Sequence, residues 1–367
     1  MIVINARFLT QELRGVQRFA EQICLALKAL RDDLVFVAPH DIKMHDSARL
    51  LDVQCIGHNR GHLWEQLDLP LYLLRHASPL LVSLGSSAPM FYRNQLATHH
   101  DINYVRHPQS YSRGFRTIYR LMMPILLSRL RALLTVSSFS RGEIAGHYGF
   151  PEQRIFVVPN AVSAAFQPGP PLSNRQRFLL AVSSPSAHKN FNRMIQAFLS
   201  LRGYPDLQLH IVGAASEIHS DPELQRLACR DPRIRFLGRL NDAELIQQYQ
   251  SAAAFVFPSL YEGFGIPPLE AQACGCPVLA ANAASIPEVL QASALYFDPL
   301  DIGHMAMAMQ RILEDLPLRQ ALRRRGFNNV SRYSWDESAR RVSLRIDTLL
   351  AGHTAAEPPS ASPEARP

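Results

Sequence analysis

The strongest constraint on the fold is a recurring unit: a short apolar run, a loop, then a longer stretch with helical periodicity. The first unit reads as a strand Ile2–Asn5, a loop through Gly15 and a helix Val16–Leu30. Further strands are expected at Leu34–Val37, Leu80–Leu84, Ala97–His99, Ala132–Val136 and Ile155–Val158. After the proline-rich Gln167-Pro168-Gly169-Pro170-Pro171 the pattern restarts. Strands are then expected at Phe178–Val182, Leu207–Val212, Ile234–Leu237, Ala253–Phe257 and Pro277–Ala280, with helices from Asn190, Asp242, Pro267, Leu300, Pro317 and Trp335. Alternating strands and helices require parallel sheets with crossover helices. A chain of 367 residues suits two such α/β domains better than one core. The expected division is a first domain 1–166, a linker 167–175, a second domain 176–334, a helix 335–352 crossing back to the first domain, and a disordered tail 353–367. Ligands of such sheets sit beyond the C-terminal strand ends, here in a cleft between the domains.

Composition narrows the setting. The five cysteines are scattered, odd in number and without metal spacing, so a reducing cytoplasm is expected. The opening residues lack the long apolar region of a signal peptide. The longest apolar candidate, Leu69 to Leu84, is interrupted by Pro70, Arg75, His76 and Pro79 and cannot span a membrane. The net charge of +7 is concentrated: Ile102 to Gly142 contains no Asp or Glu but holds Arg106, Arg113, Arg116, Arg120, Arg129, Arg131 and Arg141. With Ile118, Leu121, Ile125 and Leu130 interleaved, this reads as a basic amphipathic helix interrupted near Pro124. It suits an anionic membrane surface, peripheral to the inner membrane, or a diphosphate-bearing partner; a plain solvated basic face is the alternative. No aromatic-basic platform points to nucleic acid.

The segment richest in chemistry runs Phe257-Pro258-Ser259-Leu260-Tyr261-Glu262-Gly263-Phe264-Gly265-Ile266-Pro267-Pro268-Leu269-Glu270-Ala271. Gly263 and Gly265 let the backbone approach a ligand and expose its amides. Pro267 and Pro268 fit the first turn of a helix, whose N-terminus presents free N–H groups and partial positive charge. A sugar nucleotide offers a diphosphate for that end and hydroxyls for carboxylates. Glu262, in the loop, and Glu270, placed in the first turn, are therefore expected to face different parts of one ligand.

This segment resembles the E-x7-E motif of the retaining glycosyltransferases of family 4, which have the GT-B fold of two Rossmann-like domains facing across a cleft. Phe236-Leu237-Gly238-Arg239-Leu240, Cys274-Gly275-Cys276-Pro277-Val278, Ile286-Pro287-Glu288-Val289 and Tyr333-Ser334-Trp335-Asp336 extend the resemblance over nearly the whole chain. It implies that Glu262 approaches the donor sugar, Glu270 binds the ribose hydroxyls, and the amides of Gly263, Phe264, Gly265 and Ile266 line the sugar and phosphate site. It also implies that Lys189, in the loop before Asn190, meets the diphosphate. Many family members add an arginine at the position of Ser183 or His188; here Arg18 or backbone amides are the candidates for that second phosphate contact. The loop Glu12-Leu13-Arg14-Gly15-Val16-Gln17-Arg18 resembles the family's glycine loop, and Gly15 is expected to let it approach the donor. His100 of His100-Asp101 is expected near the reacting sugar, with His99 as its alternative, and Gly213 joins the donor-binding set.

Other motifs are read as structural. Ser140-x-x-Glu143 is a capping box, and Cys274-Gly275-Cys276 spans a helix end. No D-x-D pair, H-E-x-x-H or G-x-G-x-x-G occurs, and the family resemblance implies catalysis with no cofactor and no metal. Gly61-His62-Leu63-Trp64-Glu65-Gln66 and Asn5-Ala6-Arg7 resemble bacterial O-antigen and exopolysaccharide mannosyl- or rhamnosyltransferases. The expected donor is therefore a GDP-sugar and the expected acceptor a saccharide or lipid-linked saccharide, the latter giving the basic face a purpose. A non-catalytic sugar-nucleotide-binding protein and a GT-B epimerase stay open as alternatives.

Overall fold

The computed structural model describes residues 1–352 apart from 173–174, 184–185, 214–225 and 227–230; the tail 353–367 and part of the linker lie outside the described residues. Two parallel sheets organise the chain. The first joins β1 (Ile2–Asn5), β2 (Leu34–Ala38), β3 (Gln54–Cys55), β4 (Leu80–Ser83), β5 (Gln95–Thr98), β6 (Ala132–Thr135) and β7 (Ile155–Val157) in the order 3-2-1-4-5-6-7. The second joins β8 (Phe178–Val182), β9 (Gln208–Val212), β10 (Ile234–Gly238), β11 (Ala254–Phe257), β12 (Val278–Ala281) and β13 (Ala294–Phe297) in the order 10-9-8-11-12-13. Each sheet reverses its winding once, between β1 and β4 and between β8 and β11. Such reversals open crevices at the C-terminal strand ends. The loops after these four strands, together with the segment after β5, line the cleft.

Burial follows the strand pleat. Ile2 and Ile4 of β1 pack with Phe19, Ile23 and Leu27 of the Gly15–Leu30 helix, while Val3 turns to Trp64, Leu69 and Leu73 on the opposite face. Each such fully buried side chain contributes about 1.5–3 kcal/mol of transfer free energy. The Trp335–Leu350 helix packs along the Gly15–Leu30 helix, with the Trp335 ring 6.2 Å from Phe19 and the Ser338 hydroxyl donating to the Pro159 carbonyl at 2.8 Å. The linker is held by guanidinium groups. Arg175 donates to the carbonyls of Tyr249, Ala252, Cys274 and Gly275, and Arg323 donates to those of Gly169 and Pro170.

Several expectations need correction. The basic helix is not interrupted: Arg113–Arg129 runs straight through Pro124. Pro124 stands on the exposed side, where the carbonyl it leaves unbonded can be hydrated. Ser140 is not a cap. Ser137 caps the Ser138–Tyr148 helix by accepting the Ser140 amide at 3.0 Å, and Glu143 pairs with Arg106 instead. The stretch Gly61 to Arg75, unassigned in sequence, is helical and contains a widened turn of π type at Trp64–Asp68. Pro70 falls just after this turn, where the usual ladder is already broken. The short strands β3 and β13 also escaped sequence reading.

Candidate active site

The loop after β11 is shaped by contacts from three directions. The Ser285 hydroxyl donates to the Glu262 and Phe264 carbonyls at 2.9 and 3.3 Å. From the first sheet's side, the Ser137 and Ser140 hydroxyls donate to the Gly263 carbonyl at 2.6 and 3.2 Å. Gly263 is required by proximity: a Cβ there would lie 2.8 Å from Asp101 Oδ2 and 3.0 Å from the His100 carbonyl. The expected close approach at Gly263 is thus to the other domain. Gly265 adopts φ +94°, a left-handed conformation suited to glycine, and starts the Ile266–Ala273 helix with Pro267 and Pro268 in its first turn. The amides of Gly263, Phe264, Gly265 and Ile266 donate no hydrogen bond among the described residues.

The two glutamates differ in setting. Glu262 is mostly buried and accepts from Lys189 Nζ at 2.7 Å. Glu270 sits in the second turn of its helix, not the first, and is 8% exposed. Burial pushes its carboxyl up to about 7, opposed by the charge of Arg18 and the Tyr249 hydroxyl, which donates to it at 3.2 Å. Lys189 closes the short turn Ala187–Lys189. The next residue, Asn190, has φ +60° and donates its carboxamide to the Pro258 and Pro299 carbonyls, pinning the β8 loop to the β11 loop. His188 is buried against Ser110 of the first half, its Nδ1 2.9 Å from that hydroxyl, and burial holds it down to about 3.

Across the cleft, the His100 ring packs edge-on to Phe19 at 4.8 Å, and its Nε2 is buried without a hydrogen-bond partner. Burial holds it down to about 4, so its imidazole is neutral at physiological pH. His99, the alternative, lines the same cleft, but its Nε2 is engaged with the Tyr104 hydroxyl at 3.2 Å. Gly15 begins the Gly15–Leu30 helix on the cleft wall, and nothing lies within 4 Å of the Cβ it lacks. Arg18 does not face the cleft as a free cation; it forms a two-pronged pair with Asp242 at 3.0–3.1 Å. Gly213 follows β9 with its amide bonded to the Gly238 carbonyl at 2.9 Å, and residues 214–225 after it are not described.

The resulting cleft encloses ≈ 960 Å³ and brings Gly15, His100, Lys189 and Glu262 onto one surface. Gly263, Phe264, Gly265, Ile266, Glu270, Arg18 and Gly213 stand outside that lining. Arg7, Glu65 and Asp101 lie in segments quoted above for the family resemblance, which gave them no role of their own. Asp101 is raised by burial and by Glu262, and its Oδ1 accepts the Asn103 amide at 2.8 Å. Arg7 and Asp101 follow strand ends, whereas Glu65 lies inside the Trp64–Asp68 turn, so no common local signal marks the three.

Two Rossmann-like sheets meeting at such a cleft define the GT-B architecture. Family profiles agree: "Glycosyltransferase Family 4" matches residues 13–166 and "Glycosyl transferases group 1" matches residues 164–329. The chain is 30% identical over 277 residues to the O-antigen chain mannosyltransferase RfbU of Salmonella typhimurium, covering 74% of each chain. It is 28% identical over 300 residues to O-antigen chain mannosyltransferase B of Escherichia coli, covering 78% of this chain and 77% of that one. The fold also superposes on Anabaena HepE, solved in complex with UDP-glucose, with a TM-score of 0.71 at 18% identity, covering 95% of this chain and 99% of that one. The chain belongs to glycosyltransferase family 4 and is a hexosyltransferase.

Proposed function

We propose that the chain transfers a mannosyl or similar hexosyl group from a nucleoside-diphosphate sugar to a saccharide hydroxyl, with retention, in the assembly of a bacterial surface polysaccharide. The names of the O-antigen relatives support the sugar and the setting. The observation that carries the reading is the Lys189–Glu262 pair at 2.7 Å beside four unbonded amides and a helix N-terminus. Lys189, the amides and the helix end suit a departing diphosphate; a phosphate there competes with Glu262 for the lysine and frees the carboxylate for the sugar. Glu270 takes the ribose hydroxyls, and Arg18 reaches the donor only through its charge on Glu270. His100 serves as a neutral hydrogen-bonding group for a sugar hydroxyl. The acceptor attacks from the face the diphosphate leaves.

A GDP-sugar is the proposed donor, and the neutralising cations are proposed to be the protein's own rather than a metal. The acceptor is proposed to be lipid-linked, with the enzyme held peripherally at an anionic membrane by the Arg113–Arg129 helix. No helix among the described residues is long and apolar enough to cross a membrane. The test is a thermal-unfolding screen of GDP, UDP, ADP and dTDP, followed by turnover of the matching nucleotide sugars with and without EDTA. One nucleotide should stabilise the chain, by roughly 2.7 kcal/mol at 100 times its dissociation constant. Absence of any stabilisation and any turnover refutes the reading; loss of turnover in EDTA refutes its metal-independent form.

A further inference from the structure

The cleft wall opposite Lys189 carries groups that donor chemistry leaves unused. Arg7, in the turn after β1, is 7% exposed and pairs with Glu65, 1% exposed, at 3.1 Å. Glu65 Oε1 also accepts from Asn5 Nδ2 at 2.9 Å and Ser87 Oγ at 3.0 Å, and His62 approaches its other oxygen at 3.3 Å. The widened Trp64–Asp68 turn holds Glu65 in this position. Arg7 Nη2 donates to Ser87 Oγ at 2.5 Å, whereas Nη1 has no hydrogen bond among the described residues. Arg7 lines the cleft. A buried ion pair returns little stability for the desolvation it costs. What this one does provide is a guanidinium locked in orientation, with one edge left for a ligand.

Beside it stands a column of aromatic rings. Tyr111 and Phe115 stack at 5.2 Å and 20°, and Phe115 and Tyr119 at 4.2 Å and 22°. All three line the same cleft and are only partly buried. Tyr119 is close enough to Arg7 and Glu65 to feel their charges. An apolar ring face next to a fixed cationic donor matches a pyranose, which has a C–H face and a rim of hydroxyls. We propose that Arg7 and the Tyr111–Phe115–Tyr119 column form the acceptor subsite, one sugar ring lying on Tyr119 with a hydroxyl on Arg7 Nη1. The inference rests on the transferase reading above.

Mannobiose is the probe, added to the full chain and followed by saturation-transfer NMR. Wild type should show transfer to its ring protons, and Tyr119→Ala and Arg7→Lys should each weaken binding at least tenfold. Arg7→Lys keeps a charge for Glu65 and Tyr119→Ala alters a half-buried ring, so folding is preserved in at least one, checked by thermal melts. The stabilisation by nucleotide should be the same in wild type and both variants. Unchanged mannobiose affinity in both variants overturns the proposal, as does a wild type that binds nucleotide but no mannobiose. A wild type that binds no nucleotide removes the transferase reading, and this inference with it.

Discussion

Buried titratable residues set opposing pH responses. His99, His100 and His188 are held down to about 3, 4 and 3 by burial, so all are neutral in the folded chain near pH 7. In the unfolded chain they take up protons below about 6.5. Stability they contribute above that value is lost as pH falls toward their folded values, by up to roughly 1.4 kcal/mol per histidine per pH unit. Glu270 acts oppositely. Its folded carboxyl titrates at about 7 against 4.5 when unfolded, so the folded chain binds that proton first. Stability from this group is full at acid pH and is lost as pH rises through about 7, a cost of roughly 3 kcal/mol once ionised. Three histidines outweigh one glutamate, and the unfolding temperature is expected to drop between pH 6.5 and 4.5. Glu270→Gln should stabilise the free protein at pH 8, change it little at pH 5, and weaken nucleotide binding. Melts at both pH values check this; an equal gain at each would show that ionisation of Glu270 is not the cause.

At the scale of elements, the Arg113–Arg129 helix divides its circumference three ways. Met122, Met123, Leu126 and Leu127 are buried, Arg113, Arg116 and Arg120 line an open pocket of ≈ 820 Å³, and Ile118, Leu121 and Ile125 are exposed. The Gly61–Arg75 stretch exposes a second stripe, Leu63, Leu67, Leu71 and Leu74. Exposed apolar rows flanked by arginine suit a bilayer with anionic headgroups. Replacing Arg113, Arg116 and Arg120 by glutamine should reduce sedimentation with phosphatidylglycerol vesicles several-fold, and added salt should do the same to wild type. Vesicle binding unchanged by either treatment would sink the assignment. These elements also show what a sequence can carry. The Glu262–Glu270 segment was legible because glycine, proline and helix start are neighbours in the chain. The Arg7–Glu65 pair joins residues 58 apart and leaves no local period. The capping serine was misread because Ser140-x-x-Glu143 carries the local signature and Ser137 does not, whereas it is the Ser137 hydroxyl that accepts the Ser140 amide. The π turn and the two-residue β3 are likewise products of tertiary context.

For the molecule as a whole, the halves are tied at the rim of the cleft. Glu288 accepts the amides of Ser138 and Phe139 at 2.7 and 2.8 Å, so a carboxylate of the second half caps a helix of the first. Arg18–Asp242 and Arg239–Glu12 bridge the same gap. Gly263 leaves no room for a Cβ against Asp101 and the His100 carbonyl, and Gly263→Ala is expected to hold the halves apart. Turnover should fall at least tenfold and the radius of gyration in solution should rise, while the melting temperature changes little. Undiminished turnover with unchanged scattering would mean that the closeness at Gly263 has no bearing on the reaction.

The path of the backbone adds a consequence. It leaves the first half at the linker and returns with the Trp335–Leu350 helix, where Arg31 binds Asp347 and Arg131 donates to the Leu349 carbonyl. Like a door hung on two pins, a body joined by two adjacent crossings can swing but cannot slide or spin. Any opening and shutting about this double crossing would return Lys189 and Glu262 of one face to the same point on the other, so the alignment of two substrates would not have to be found afresh.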